Sequence, residues 1–257
     1  MDNEALLEIN DRESSQVESV PRFSLQMLLA WVAITAGLFE FWRETHPRLD
    51  NQVGLMLGLT TIRLTVWSLG LCGLGFRVWW WKHERKIPWQ PGHWLLCLAG
   101  CLGLLEILSV LSDAAFWRVD PFPGPTGFWI QTNFHYLFSI GALVVVWGVV
   151  IFAPMGKAWR LAILPLALQR TLGLGFQVAF SMFGIIINPS TGSVATILLW
   201  THGILSLISP IPIMFLAIRD VATKTPQRDW MHWVGVAAWI LLVLSPVVAN
   251  LLFPLML

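Results

Sequence analysis

The sequence predicts an all-α fold: a polytopic membrane bundle of seven transmembrane helices, with the N-terminus cytoplasmic and the C-terminus outside. Three observations predict it. The 257 residues are 56% hydrophobic and only 12% charged, whereas a soluble domain carries about a quarter charged residues. Apolar runs of the length a bilayer demands, about 20 residues, recur at roughly 23–42, 53–76, 94–116, 129–153, 161–187, 194–218 and 230–256. Basic residues are strongly asymmetric. Eleven (Arg12, Arg22, Arg77, Lys82, Arg85, Lys86, Lys157, Arg160, Arg219, Lys224 and Arg228) fall in the tail and the loops after even-numbered spans, against Arg43, Arg48 and Arg118 on the other side. Cytoplasmic loops hold the excess of Lys and Arg, so this count sets the expected orientation and supports an odd number of spans. The connections are short and polar, or rich in proline and glycine (DPFPGPTG, NPSTGS). None is large enough for a soluble domain; the net charge of +1 says little about partners, and with no basic run with interleaved aromatics on such a domain, nucleic-acid binding has no support.

Residues 1–22 form the first unit and 23–257 the second. Asp2, Glu4, Glu8, Asp11, Glu13 and Glu18 against Arg12 make the first unit an acidic, solvated and disordered tail. The apolar run begins only at Phe23. A secretory signal would start with a basic segment and have a shorter apolar core, so this run is expected to be an uncleaved first span. Pro21 to Leu38, with Arg22-Phe23-Ser24-Leu25 followed by Leu28-Leu29, resembles the entry to the first helix in many uncharacterised bacterial membrane proteins. That resemblance covers under a tenth of the chain and implies a bacterial inner-membrane setting.

The second span carries Arg63, with Gly70 on the same side. It ends in Trp79-Trp80-Trp81-Lys82-His83-Glu84-Arg85-Lys86, an interfacial anchor in which Lys82, Arg85 and Lys86 are expected to meet anionic lipid. Eleven of the sixteen tryptophans fall at span ends and are expected to form an aromatic belt. The third span, WLLCLAGCLGLLEILSVLSDAAFW, contains Glu106 and Asp113 seven residues apart, which places them on one helix face together with Ala99 and Gly103. A carboxylate in hydrocarbon costs several kcal/mol, so this face must look inward. The fourth span places Thr132, His135 and Ser139 on one face. In the fifth, Arg170, Gly173, Gln177, Ser181, Gly184 and Asn188 follow spacings of three and four, a polar stripe along its full length. The sixth has His202, Ser206 and Ser209 followed by Pro210 and Pro212. Proline removes a backbone donor, so a kink or break is expected near 206–210.

With alternating helix directions, Arg63, Glu106 and Arg170 fall at mid-bilayer and Asp113, His135 and His202 nearer the outer surface. Intramembrane ionisable groups mark ligand or proton pathways, so Arg63, Glu106, Arg170 and Gln177 are the candidate ligand-binding or proton-handling residues. Asp113, His135 and His202 carry the donor types that suit zinc or iron, and His135 and His202 could alternatively flank a haem. No cofactor is otherwise expected. Cys72, Cys97 and Cys101 lie in helices at similar depth and are expected to be free thiols that pack as small apolar groups, a three-thiolate metal site being the alternative. His83, His93 and His232 belong to the cytoplasmic interface and His46 to an outer loop, with no cluster among them.

Known seven-helix and intramembrane enzyme signatures are missing. The last span has no lysine for a retinal Schiff base. It also has no histidine pair four apart, as the metal-dependent hydrolases of lipid amides require. No Gly-x-Ser-Gly element or paired glutamates with a nearby arginine occur. The sequence therefore favours binding or transport of a small, anionic solute, coupled to protons, over enzymatic chemistry. The alternatives are a structural or assembly subunit that docks a membrane-protein partner, and a metal-dependent membrane enzyme.

Overall fold

The computed structural model describes residues 25–45, 55–82, 89–119, 124–183, 201, 203–223 and 228–252. The acidic tail, Arg85, Lys86, Gly184, Asn188 and His202 lie outside the described residues, and so does the side chain of Ser181. The elements are α1 (Leu25–Thr45), α2 (Leu55–Lys82), α3 (Pro91–Val119), α4 (Pro125–Phe152), α5 (Lys157–Phe183), α6 (Pro210–Ala222) and α7 (Trp230–Leu252), and no strand occurs among the described residues. Five described stretches are long and apolar enough to cross a membrane: Gly58–Lys82, Pro91–Phe116, Trp129–Phe152, Lys157–Val178 and Gly203–Ala222. In α1 the charged groups Glu40, Arg43 and Glu44 crowd the last turns, where Arg43 pairs with Glu40.

The bundle is arranged around α3, which packs most closely on α2, then on α7 and α4. Apart from His93 its first half is apolar or small all round, and from Pro91 to Gly100 every residue but Trp94 is buried. A helix apolar on every side belongs inside a core. Lipid supplies no hydrophobic drive to bring helices together, so their contact rests on close packing and hydrogen bonds. At the centre of the α2–α3 crossing the two backbones touch: a Cβ on Gly70 would overlap the backbone of Gly100, and one on Gly100 the backbone of Gly70. On either side, Gly103 makes room for the Trp67 ring and Gly73 for the Leu96 side chain, each 2.6 Å from where a Cβ would stand. This antiparallel register carries Arg63 to Glu106 one turn further along. A second backbone contact joins the first turns of α3 and α7, where a Cβ on Gly92 would overlap the His232 backbone and one on Gly235 that of Gly92.

Side-chain hydrogen bonds join the neighbouring helices. Trp31 Nε1 of α1 donates to Ser68 Oγ of α2 at 3.0 Å, and Thr35 Oγ1 lies 2.7 Å from the same oxygen. Between α4 and α5, Tyr136 donates to the Gln177 carbonyl at 2.8 Å and Trp147 Nε1 to Thr171 Oγ1 at 3.1 Å. Ahead of α6 the helical path is interrupted by a turn at Ser209. Pro210 has no N–H for the Ser206 carbonyl four residues back, and Ser209 Oγ takes its place, donating to that carbonyl at 3.1 Å.

The tryptophans divide into two groups. Trp79, Trp81 and Trp129 are exposed, as belt residues would be, but Trp80 and Trp159 are buried in the core. Position at a helix end does not say which way a ring points, and these two rings pack inward.

Candidate functional site

The mid-helix charges converge on Glu106. Its Oε1 accepts from Arg63 Nη2 at 3.1 Å, and the Arg63 guanidinium also lies over the Trp67 ring, 5.1 Å from its centroid. Both side chains of the pair stay nearly half exposed, 45% and 44%, because Glu106 stands between two cavities. One, of about 170 Å³ between α1, α2 and α3, is lined by Phe41, Trp42, Thr60, Arg63, Trp67 and Glu106. The other, of about 310 Å³ between α3, α4 and α5, is lined by Glu106, Ser109, Asp113, His135, Ser139, Arg170 and Gln177, with Leu102, Leu105, Val110 and Phe138 as its apolar wall. Its volume falls at the small end of ligand sites, about 300–1,000 Å³.

The larger cavity gathers five of the sequence-predicted site residues: Glu106, Arg170, Gln177, Asp113 and His135. Arg63 meets them through Glu106, and His202 lies outside the described residues. Glu106 and Arg63 are the charged neighbours of Arg170, yet among the described residues no carboxylate lies within ion-pair distance of Arg170. Glu106 is engaged by Arg63. Asp113 is engaged at its Oδ1 by His135 Nε2, at 3.0 Å, and by Gln131 Nε2, also at 3.0 Å. Among the described residues the cavity therefore holds a guanidinium whose charge has no direct counter-ion.

His135 uses both ring nitrogens. Nε2 faces Asp113, and Nδ1 lies 3.1 Å from Ser109 Oγ. With the proton on Nε2, the nitrogen that faces the carboxylate, Nδ1 accepts from the serine hydroxyl. A metal or haem iron at His135 would have to displace one of these contacts. Among the described residues no group of three or more His, Cys, Asp or Glu side chains is arranged to hold a metal ion. The three cysteines are unpaired.

A second polar cluster lies where α3 and α7 begin, and it corrects the expectation that His93 and His232 stand apart. His93 is fully buried, with Nε2 2.8 and 3.0 Å from the two Asp229 oxygens. Asp229 Oδ1 also accepts from the His232 amide at 2.8 Å, capping the first turn of α7. Gln90 Oε1 accepts from the Asp229 amide at 3.2 Å. His232 Nδ1 accepts from the Gly92 amide at 2.9 Å, and its ring stands edge-on to Trp159 and Trp233. Nearby, the buried Asp220 is held by Arg228 at 2.8 Å and Arg219 at 3.3 Å. Burial alone would push the Asp229 carboxyl up. The hydrogen bonds from His93 and the His232 amide, and the fields of the two imidazoles, outweigh it and leave the group below its ordinary value. Neither histidine lines the cavities, and the cluster locks α3 to α7.

Sequence reasoning overlooked Ser109 and Gln131. Ser109 lies three residues after Glu106 and four before Asp113, so the helical repeat already places it on their face. Gln131 lies four residues before His135, one turn away on the same side of α4. Compared with protein-family models, curated proteins and solved structures, the chain matches none. The fold defines its class: a helical protein with several helices fit to span a bilayer, compatible with a multi-pass membrane protein.

Proposed function

We propose that the chain binds, and moves across the bilayer, a small anionic solute, with Arg170 as the anion contact, Gln177 as a neutral hydrogen-bond partner and the Arg63–Glu106 pair as the proton-responsive element. One observation supports this above the others: Arg170 faces a cavity of about 310 Å³ with no direct counter-ion among the described residues. An uncompensated cation attracts an anion, and the Arg63–Glu106 pair is its charged neighbour. The reading includes seven crossings of a bacterial inner membrane, the N-terminus inside, and Lys82, Arg85 and Lys86 against anionic lipid. Reporter fusions at each loop test the topology.

The binding test uses purified protein in micelles, unfolded thermally with each of a panel of carboxylates, phosphate and sulfate. A ligand at a hundred times its Kd stabilises by about 2.7 kcal/mol, which such a melt reads directly. An anion that raises the melting temperature of the native protein and not of Arg170→Gln supports the reading. Equal shifts in both proteins, or none with any anion, refute it. Uptake by proteoliposomes with a trapped pH dye then reads transport and its proton coupling.

A further inference from the structure

We propose that Ser109, His135 and Asp113 form a nucleophilic triad opening into the larger cavity, and that it takes the acyl group of a small carboxylic ester bearing an anionic group. The three residues are joined in the order acyl transfer needs. Ser109 Oγ lies 3.1 Å from His135 Nδ1, and His135 Nε2 lies 3.0 Å from Asp113 Oδ1. Gln131 Nε2 holds the same aspartate oxygen at 3.0 Å, so the carboxylate that orients the imidazole is itself oriented. Such a constellation is recognised by geometry and roles, not by fold or sequence order. Here the two ring nitrogens exchange their usual partners, because serine and aspartate lie one turn apart on α3 and the imidazole from α4 lies along that face. The chemistry is unchanged, since either nitrogen accepts a proton while the other donates.

Ser109 Oγ attacks the ester carbonyl as its proton passes to His135 Nδ1, and the imidazolium that forms is stabilised by the charge of Asp113, whose Oδ1 stands 3.0 Å from Nε2. The carbonyl π bond opens to an oxyanion, for which the Gln177 amide is a donor lining the same cavity. Collapse of the tetrahedral species breaks the bond to the alkoxide, which leaves with the proton from Nδ1. Water then attacks the acyl-serine, gives its proton to Nδ1, and releases the carboxylic acid and the serine hydroxyl, so atoms and charge balance with water as the only co-reactant. Leu102, Leu105, Val110 and Phe138 offer the acyl chain an apolar wall. Arg170 selects an anionic group on the ester. The inference shares the cavity with the solute-binding reading but does not depend on transport.

The test treats full-length protein in micelles at pH 8 with a small dialkyl fluorophosphate, followed by peptide mass mapping. The expected result is one adduct on Ser109, absent in Ser109→Ala and formed roughly 100-fold more slowly in His135→Gln, the lower range of what a general base contributes. Asp113→Asn is the second variant and should also label more slowly, which covers the case in which His135→Gln does not fold. Melting curves show which variants remain folded. An absence of adduct on native protein overturns the proposal, and so does a rate unchanged in the folded His135 or Asp113 variant. Anion-dependent stabilisation without labelling would remove the triad and leave the binding reading intact.

Discussion

Replacing Asp229 by alanine isolates the junction of α3 and α7. The substitution removes the cap on α7, in which Oδ1 receives the His232 amide at 2.8 Å, and losing such a cap costs about 1 kcal/mol. It also strips His93 of its acceptor. His93 Nδ1 receives the Gln90 amide at 3.3 Å, so its proton sits on Nε2, and a fully buried N–H left without a partner costs about 1–3 kcal/mol. Together the loss at pH 7 should be about 2–4 kcal/mol. Asp229→Asn keeps an oxygen for the cap and an acceptor for His93, so it should lose about 1 kcal/mol, the charge-assisted part of the bonds. The folded-state carboxyl sits below its ordinary value. Its ionised form therefore contributes stability above the usual aspartate pKa of about 3.9, and that contribution disappears as pH falls through the folded value. The gap between native protein and Asp229→Asn should accordingly narrow below about pH 4. Denaturant titration in micelles, followed by tryptophan fluorescence, measures both effects. A loss under about 0.5 kcal/mol for Asp229→Ala, within the scatter of ordinary surface substitutions, would show that the cluster does not hold the helices together.

Other outcomes follow from the same geometry. Gly100→Val forces side-chain atoms into the Gly70 backbone and should destabilise by about 1–3 kcal/mol or more, read as a lower denaturation midpoint, whereas Gly148→Ala, where nothing lies within 4 Å, should leave it unchanged. Glu106→Gln removes the negative charge beside Arg63 and Arg170. If the cavity takes an anion, its affinity should rise several-fold, measured by thermal shift. Ser209→Ala uncovers the Ser206 carbonyl and should cost about 0.5–1.5 kcal/mol, visible in the same melts.

What could be read from the residues alone followed the cost of each group in lipid. Arg63, Glu106 and Arg170 stood out because hydrocarbon solvates none of them, and the structure joins the first two directly and sets the third across the cavity. The spacing of Arg170 and Gln177 marked a common face, and both line that cavity. The helical content was legible from the length of the apolar runs, while the seven expected spans were not: among the described residues five stretches are long and apolar enough to cross a membrane, and Trp230–Ser245 is a shorter apolar helix. His93 and Asp229 were not legible, since they are 136 residues apart and each reads as an ordinary interfacial group. Ser109 was overlooked because a serine within an apolar helix is most often a small packing residue, and only a neighbouring histidine distinguishes it. Trp80 and Trp159 show the same limit, since composition marks the depth of a ring but not its direction.

The glycine contacts have a mechanical consequence. A slide of α2 by one helical turn would set Gly70 against Leu96 or Leu104, and the interlocked backbones leave no space for either side chain. With α7 seated as closely on the first turn of α3, these three helices must travel as one stator. They form the fixed side of the larger chamber, with α4 tied to α3 through His135 and Gln131 and to α5 through Tyr136 and Trp147.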